Sequence, residues 1–373
     1  MESSSDQSCR CSDHYRKEHT ASIEDLLFTR RDFLLKTGMG MGALSLASIL
    51  GVNPFSFAEA AESPSAPSFS PLRPKTPPLP AKAKAVIHIF ASGGPSHVDT
   101  FDPKPMLSKY DGQSLPGMDG VAFPSPFAFK KYGKSGIEVS QVFPKLAECV
   151  DEMAVIRSMW TDIPAHEVAQ RFMNTGSLQL PKPSLGSWVL YGLGSVNQNM
   201  PGFIALGGEP EWRASNFLPG AYQGCEVQFS TKMKPEDVLQ NIQSRFAKQN
   251  IQRDQLDLAK KLNEMHLNSV GHDAQMEARI QSFEMAFKMQ TEATDAFDLS
   301  KESAETRELY GKTDMGAKLL VARRLVERGV RFIQVTAGGW DHHNDIDNNL
   351  PKTAAAVDAP AAALIQDLKQ RGL

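Results

Sequence analysis

Two short apolar runs, each followed directly by a glycine-rich polar loop, are the feature that most constrains the fold. Residues 85–90 precede glycines at 93–94, and residues 330–336 precede glycines at 338–339. Neither run alternates strictly between apolar and polar positions, which is typical of strands buried on both faces. Helical patterns separate these strands. Such alternation predicts an α/β protein with a mostly parallel sheet flanked by helices.

The other elements follow from hydrophobic periodicity and from glycine positions. Gly176 and Gly329 are expected to end two of the helices. A further strand is predicted over residues 153–158, and helices are predicted over residues 144–150, 166–175, 316–328 and 353–370.

Residues 234–310 differ in composition from the rest of the chain. They are dense in Gln, Glu, Lys and Met, with apolar residues at helical spacing. This pattern predicts two or more long helices that form an insertion in the α/β domain. His266 and His272 in this segment have no partner at metal-ligand spacing, so we expect them to be solvated or to cap helices.

The amino-terminal residues have the pattern of an export signal. Arg30 and Arg31 stand just before an apolar group, an uncharged run follows over 38–52, and small residues at 58–60 offer a cleavage site. This is the pattern of a twin-arginine (Tat) signal peptide. The run of about 15 residues is shorter than the ~20 that a membrane-spanning helix needs. A buried amphipathic helix and an uncleaved anchor are the alternatives.

The signal predicts the organisation and location of the chain. We expect a Tat signal with an amino-terminal extension over 1–61, a Pro/Ser-rich linker over 62–81 and a folded domain over 82–373. The Tat translocase is the expected partner during export. We expect the protein to be exported, with a periplasmic or extracytoplasmic location.

Charge and cysteine content narrow the functional classes. The net charge is −3 and no block of like charges is present, which argues against a nucleic-acid partner. Cys9 and Cys11 lie in a polar segment ahead of the signal, where a metal cluster is not favoured. Cys149 and Cys225 are too few for a disulfide framework, and a single disulfide between them stays open.

The loop after the first strand offers metal ligands. His97, Asp99 and Asp102 lie within six residues of one another, next to glycines that let backbone N–H groups approach an anion. We take His97 and Asp99 as candidate ligands of a divalent metal. A glycine-rich turn with aspartate caps is the alternative.

The loop after the last strand has the same character. Asp341, His342 and His343 are consecutive, and Asp345 and Asp347 follow. Because successive side chains diverge, we expect Asp341 and His343 to converge on one ion while His342 points away. Zinc, manganese or calcium would suit such ligands. The alternative is a polar loop packed over a buried tryptophan at 340.

Ligands bind outside the carboxyl ends of the strands in open α/β sheets. We therefore expect the two loops to meet. Since bonds to a common ion are ~2.0 to 2.2 Å, a carboxylate oxygen of Asp99 should lie within roughly 10 Å of Asp341 or His343.

As a set, several segments resemble a known family: the twin-arginine signal, the loop over 92–104, the helix over 319–329 and the sequence over 338–341. They resemble the exported proteins classified as domain of unknown function 1501, which look like a branch of the alkaline phosphatase and sulfatase superfamily. The resemblance covers residues 29–373. It implies an alkaline phosphatase-like fold and metal-dependent hydrolysis of phosphate or sulfate esters, without supplying a proven reaction.

The same resemblance singles out His166. Residues 172–176 are similar to the segment that closes the nucleophile helix of sulfatases, and counting back places the nucleophile position at His166. Sulfatases have Cys or Ser there and phosphatases have Ser or Thr, so this chain departs from the pattern. His166 is a candidate nucleophile, general acid or base, or third metal ligand. The alternative is a purely structural role, in which His166 caps its helix or packs against neighbouring residues.

Relatives in that superfamily continue beyond the helix over 353–370 with another strand and further metal ligands, whereas this sequence ends at Leu373. We therefore expect part of the metal site and one core strand to be missing. Two functions stay open. One is an extracytoplasmic metallohydrolase acting on a small phosphate or sulfate ester, inactive in this truncated form. The other is a non-catalytic exported binding or assembly protein on the same fold.

Overall fold

A parallel four-stranded sheet forms the centre of this computed structural model. The structure describes residues 71–373 apart from gaps at 78, 118–119, 179–181, 235–237, 239–248, 271–279, 281–282 and 290–294. In chain order the strands are β1 (Val86–Ala91), β2 (Phe129–Tyr132), β3 (Ile137–Ser140), β4 (Phe203–Leu206), β5 (Cys225–Val227) and β6 (Phe332–Ala337). The Tat signal predicted over 1–61 lies outside the described residues.

The helices whose bounds fall within the described residues are α1 (Met106–Lys109), α2 (Pro144–Ala147), α3 (His166–Thr175), α4 (Leu185–Leu193), α5 (Gln249–Val270), α6 (Ala304–Tyr310), α7 (Asp314–Glu327) and α8 (Ile346–Arg371). The α/β class with a parallel sheet flanked by helices is confirmed. The helix predicted over 166–175 is α3, and Gly176 ends it in the left-handed conformation, with φ 66°. The helices predicted over 316–328 and 353–370 correspond to α7 and to most of α8.

The strand order is β1-β6-β4-β5, and all three pairings are parallel. β6 is central, because Ile333 lies opposite Ile87 of β1 on one side and Ile204 of β4 on the other. Its burial agrees with the prediction of a strand covered on both faces. β1 differs from the same prediction, since it is only partly buried and pairs with β6 alone among the described strands.

The prediction of a strand over residues 153–158 is wrong, because these residues do not form a strand. The helix predicted over 144–150 is short, and a single 3-10 turn (Val150–Glu152) and irregular chain follow it. Ile156 is 67% exposed, so this apolar stretch lies at the surface. The structure also contains the β2–β3 hairpin, α4, β4 and β5, for which the sequence has no clear local pattern.

The insertion predicted over 234–310 is helical where it is described. It contains α5, a helical stretch over 283–289 and α6. Arg253 of α5 bonds to Glu284, with N–O distances of 2.9 and 2.8 Å, so these two helical segments contact each other.

The main core lies between the sheet and helices α7 and α8. Leu319 and Leu320 of α7 pack with Ile333 of β6 and Leu364 of α8 in one buried cluster. A buried carboxylate, Asp358 of α8, accepts the backbone N–H groups of residues 145 and 146 at 2.9 and 2.7 Å, at the first turn of α2. Burial raises the pKa of Asp358 above its ordinary value, against the effect of these hydrogen bonds.

Cys149 and Cys225 carry free thiols, so the disulfide that the sequence left open is not formed. Burial raises the pKa of Cys225 to about 11, so this thiol is protonated at neutral pH. In the part of the chain that the structure describes, no helix is both long enough and apolar enough to span a bilayer.

Candidate metal centre

The loops after β1 and β6 lie side by side at the carboxyl edge of the sheet. Ser92 N–H donates to the Ala337 carbonyl at 2.9 Å, and Trp340 N–H donates to the Ser92 carbonyl at 3.2 Å. Gly93 approaches so closely that a Cβ there would lie 2.6 Å from the backbone N of Asp341. The backbones of the two predicted loops therefore meet because their strands are neighbours.

Trp340 anchors the second loop from below. It is 2% exposed, and its ring stacks on Phe143 with centroids 6.1 Å apart. Phe143 stacks in turn on Phe101 of the first loop at 5.2 Å. Trp340 is thus packed beneath the loop, as expected for a polar loop over a buried tryptophan. This packing leaves the polar residues that follow Trp340 at the surface.

His166 is brought to the same place by α3. It is the first residue of that helix, and Ala165 occupies the N-cap position, so His166 does not cap the helix. Asn174 near the other end of α3 is buried and accepts a 3.1 Å hydrogen bond from Gln334 of β6. This bond fixes α3 on β6, the strand that leads into the loop with Asp341.

His166, Asp341 and His343 form the candidate site. His166 Nε2 lies 3.1 Å from Asp341 Oδ2, and His343 Nε2 lies 2.8 Å from Asp341 Oδ1. One ligand atom from each residue lies within 4.8 Å of the others. The three side chains are accessible, with exposed fractions of 42%, 42% and 77%.

Two imidazole nitrogens and a carboxylate oxygen are a common ligand set for divalent transition metals. Ligands bound at ~2.1 Å to one ion lie up to ~4.2 Å apart, so these exposed side chains need only small rotations. Without an ion, the same atoms form an exposed His–Asp–His bridge, and exposed ion pairs contribute ~1 kcal/mol or less to stability.

Asp99 and His97, also predicted as ligands, do not belong to this cluster among the described residues. Asp99 is 5% exposed, and its Oδ2 accepts a 2.5 Å hydrogen bond from Ser96 Oγ. Its Oδ1 is buried without a hydrogen-bond partner. His97 lines a surface cavity instead.

The other polar residues of the second loop point elsewhere. His342 Nε2 lies 3.0 Å from Thr353 Oγ1 of α8, and His342 is not part of the cluster with Asp341. Asp345 is the N-cap residue of α8, and its Oδ1 accepts a 2.7 Å bond from Asn348.

These features define a class: an α/β protein with a candidate metal-ligand cluster at the carboxyl ends of its parallel strands. Residues 83–373 match the sequence profile of the family described as "Protein of unknown function (DUF1501)", and the chain belongs to that family. Comparison with curated proteins and with solved structures gives no significant match.

The residues that hold α3 in place are not evident from the sequence alone. Gln334 is a polar residue inside an apolar strand, and a buried polar group of this kind normally has a hydrogen-bond partner. That signal was present in the sequence, but it does not identify Asn174 as the partner. Arg171 of α3 also bonds to Glu211, with a 3.2 Å contact from Nη2 to Oε1, which ties the helix to the loop after β4.

Gly93→Ala is expected to lower the free energy of unfolding by about 2 to 6 kcal/mol, because overpacking and backbone strain each cost roughly 1 to 3 kcal/mol. The new Cβ would meet the Trp340–Asp341 backbone, and Gly93 has φ +110°. Gly94→Ala is the matched control, since Gly94 also has positive φ but has nothing within 4 Å of the new Cβ. Urea unfolding of both variants measures the difference, and equal costs would show that the loops are not in tight contact.

Proposed function

We propose that this protein is an exported, metal-dependent hydrolase of phosphate or sulfate esters, with an alkaline phosphatase-like fold. The observation that carries the proposal is the meeting of His166, Asp341 and His343 at the carboxyl edge of the sheet. The Tat signal predicted over 1–61 would direct this activity to the periplasm or another extracytoplasmic location.

The donor groups fit a divalent ion. Asp341 supplies one negative charge between two histidines, each of which offers a nitrogen lone pair when neutral. Asp99, in the adjoining loop, has a buried carboxylate oxygen without a hydrogen-bond partner. Such an oxygen calls for a donor or a cation. We therefore assign His166, Asp341 and His343 as the principal ligands and keep Asp99 as a further one.

The residues of the chain then have separate roles. A bound divalent ion would polarise the ester oxygen and lower the pKa of a bound water. His166 serves as a ligand rather than as a nucleophile, because its Nε2 is directed at Asp341. Buried Asn174 and Gln334 orient α3, and thereby the imidazole, from below.

A non-catalytic binding protein on the same fold is the second candidate. One observation favours it: the His343 side chain is 77% exposed. Electrostatic stabilisation of a transition state is strongest in sites that exclude water, so an open cluster suits ion binding more than catalysis.

Calorimetric titration of the metal-free full chain with Zn²⁺, Mn²⁺ and Ca²⁺ tests the proposal. We expect stoichiometric binding of at least one of these ions. 4-Nitrophenyl phosphate and 4-nitrophenyl sulfate then serve as substrates, with chelator-treated protein as control. Metal binding with metal-dependent release of nitrophenol supports the hydrolase. Metal binding without turnover supports the non-catalytic binding protein. Absence of metal binding contradicts both proposals.

A further inference from the structure

The surface cavity that His97 lines has a volume of about 550 Å³ and shares no lining residue with the histidine cluster. One wall is the loop after β1, which includes Asp102 and Lys104, and the other is the irregular segment over 153–159. This volume falls in the range of roughly 300 to 1,000 Å³ that is usual for small-molecule sites.

The polar part of the cavity is positively charged. Lys104 Nζ lies 2.8 Å from Asp102 Oδ2, and Arg157 Nε lies 4.0 Å from Asp102 Oδ1. The hydrogen bond from Lys104 holds the pKa of Asp102 below its ordinary value, so this carboxylate is ionised at neutral pH. Two cations therefore share one anion, which leaves one positive charge.

The two cations also keep unused hydrogen-bond donors. An ammonium group has three donors and a guanidinium has five. Besides its loose contact with Asp102, Arg157 makes one long hydrogen bond of 3.4 Å, from Nη2 to the Glu138 carbonyl. An oxyanion in the cavity would find free N–H groups on both side chains.

The apolar part of the cavity is open to solvent. Ile156 and Met159 both line it, and each is 67% exposed. Trp160, the next residue in the chain, is 83% exposed. Large apolar side chains grouped at the rim of a cavity are a feature of ligand-binding grooves.

We propose that this cavity binds a small amphipathic anion, with its oxyanion on Lys104 and Arg157 and its apolar body against Ile156 and Met159. The pattern of charge and apolar surface selects the ligand class: a carboxylate, sulfate or sulfonate joined to a hydrocarbon group. This site does not depend on the metal centre, because none of its residues belongs to the histidine cluster.

Fluorescence titration of the full chain with naphthalene-2-sulfonate, in the presence of EDTA, tests the site apart from any bound metal. The neutral analogue 2-naphthylmethanol is the ligand control. We expect saturable binding of the sulfonate, and about tenfold weaker binding of the alcohol, because a hydrogen bond to a charged group is worth roughly a factor of ten or more.

Variants assign the binding to this cavity. Arg157→Gln and Lys104→Gln should each weaken sulfonate binding about tenfold, whereas Arg157→Lys should keep most of it. Met159→Ser should weaken both probes several-fold through lost apolar contact. Lys109→Gln, an exposed lysine of α1 that does not line the cavity, is the matched control and should bind like the wild type.

Circular dichroism first establishes that each variant is folded. Equal affinity of the wild type for the two probes would overturn the proposal, and so would sulfonate binding that is unchanged in both the Lys104 and Arg157 variants. Association with anionic lipid vesicles without binding of the free probe would also overturn it, since the ligand would then be a membrane surface.

Discussion

Arg323→Met is expected to lower the free energy of unfolding by about 3 to 5 kcal/mol, the usual cost of removing one partner from a buried ion pair. The Arg323 side chain is 1% exposed. Its guanidinium hydrogen-bonds to Glu302 at 2.5 Å and to Glu327 at 2.6 Å. Its Nε lies 3.0 Å from Asp367 Oδ2 but is not aligned for a hydrogen bond, so we treat that contact as an ion pair only. Methionine would remove the positive charge and the hydrogen bonds that these carboxylates receive from Arg323.

The network around Arg323 joins the end of the insertion to the core. Arg324 also pairs with Glu302, and it donates to the carbonyls of Ala296 and Asp295 at 2.9 and 2.8 Å. Residues 295–302 are therefore held on α7 by two adjacent arginines. Loss of Arg323 should loosen this segment as well as the packing of α7 against α8.

Arg371→Met is the matched control for Arg323→Met. Arg371 bonds to the same Asp367 and Glu327, at 2.6 and 2.7 Å, but its side chain is 37% exposed. Since exposed ion pairs contribute at most ~1 kcal/mol, the control should lose less than that. Urea unfolding of both variants against the wild type measures the two costs. Equal costs would mean that the buried arginine is not a main support of the fold.

The cost of Arg323→Met should also depend on pH. Burial alone would raise the pKa of Glu302, but the hydrogen bonds and charges of Arg323 and Arg324 outweigh it and leave the pKa below the ordinary 4.5. A carboxylate whose pKa is lowered by folding stabilises the folded state at pH values above its unfolded-state pKa. This stabilisation is lost as the pH falls through the lower pKa of the folded state. The wild type should therefore progressively lose the part of its advantage over Arg323→Met that comes from Glu302 as the pH falls below about 4.5.

The fold could be predicted where sequence signals are local and strong. β6 is an apolar run that ends at two glycines, and α3 ends at Gly176, so the sequence predicts both elements close to their observed positions. β4 has only four residues, Phe203–Leu206, and a run of that length does not separate a strand from a loop. The apolar residues over 153–158 look like a strand in sequence, yet they line a surface cavity. Only tertiary contacts distinguish these two short runs.

Prediction of the candidate site was limited in the same way. Asp341 and His343 stand out because they are clustered directly after a strand, and alternation of side chains separates them from His342. His166 lies far away in sequence and was found only through a family resemblance. The bond from Gln334 to Asn174 joins residues 160 positions apart, and no local pattern reveals such a pair.

Asp341→Asn is expected to weaken binding of the preferred divalent ion by about 100-fold or more, since outer-shell partners alone are worth 10- to 100-fold. Asp341 lies between the two histidines and supplies the carboxylate of this three-residue cluster. Asparagine keeps the shape and one oxygen but removes the negative charge. His166→Ala and His343→Ala should each weaken binding less, by about tenfold, because each leaves the carboxylate and one imidazole in place.

His342→Ala is the matched control for the ligand variants, because it removes a neighbouring imidazole that faces Thr353 instead of Asp341. Calorimetric titration of each variant with the ion that the wild type binds most tightly gives the affinities. The exposed Asp341 contacts add ~1 kcal/mol or less to stability, so Asp341→Asn should unfold in urea close to the wild type. A large loss of affinity at unchanged stability is then a direct effect on ion binding. If Asp341→Asn binds the ion as tightly as His342→Ala does, the ion is held elsewhere and the assignment of this cluster fails.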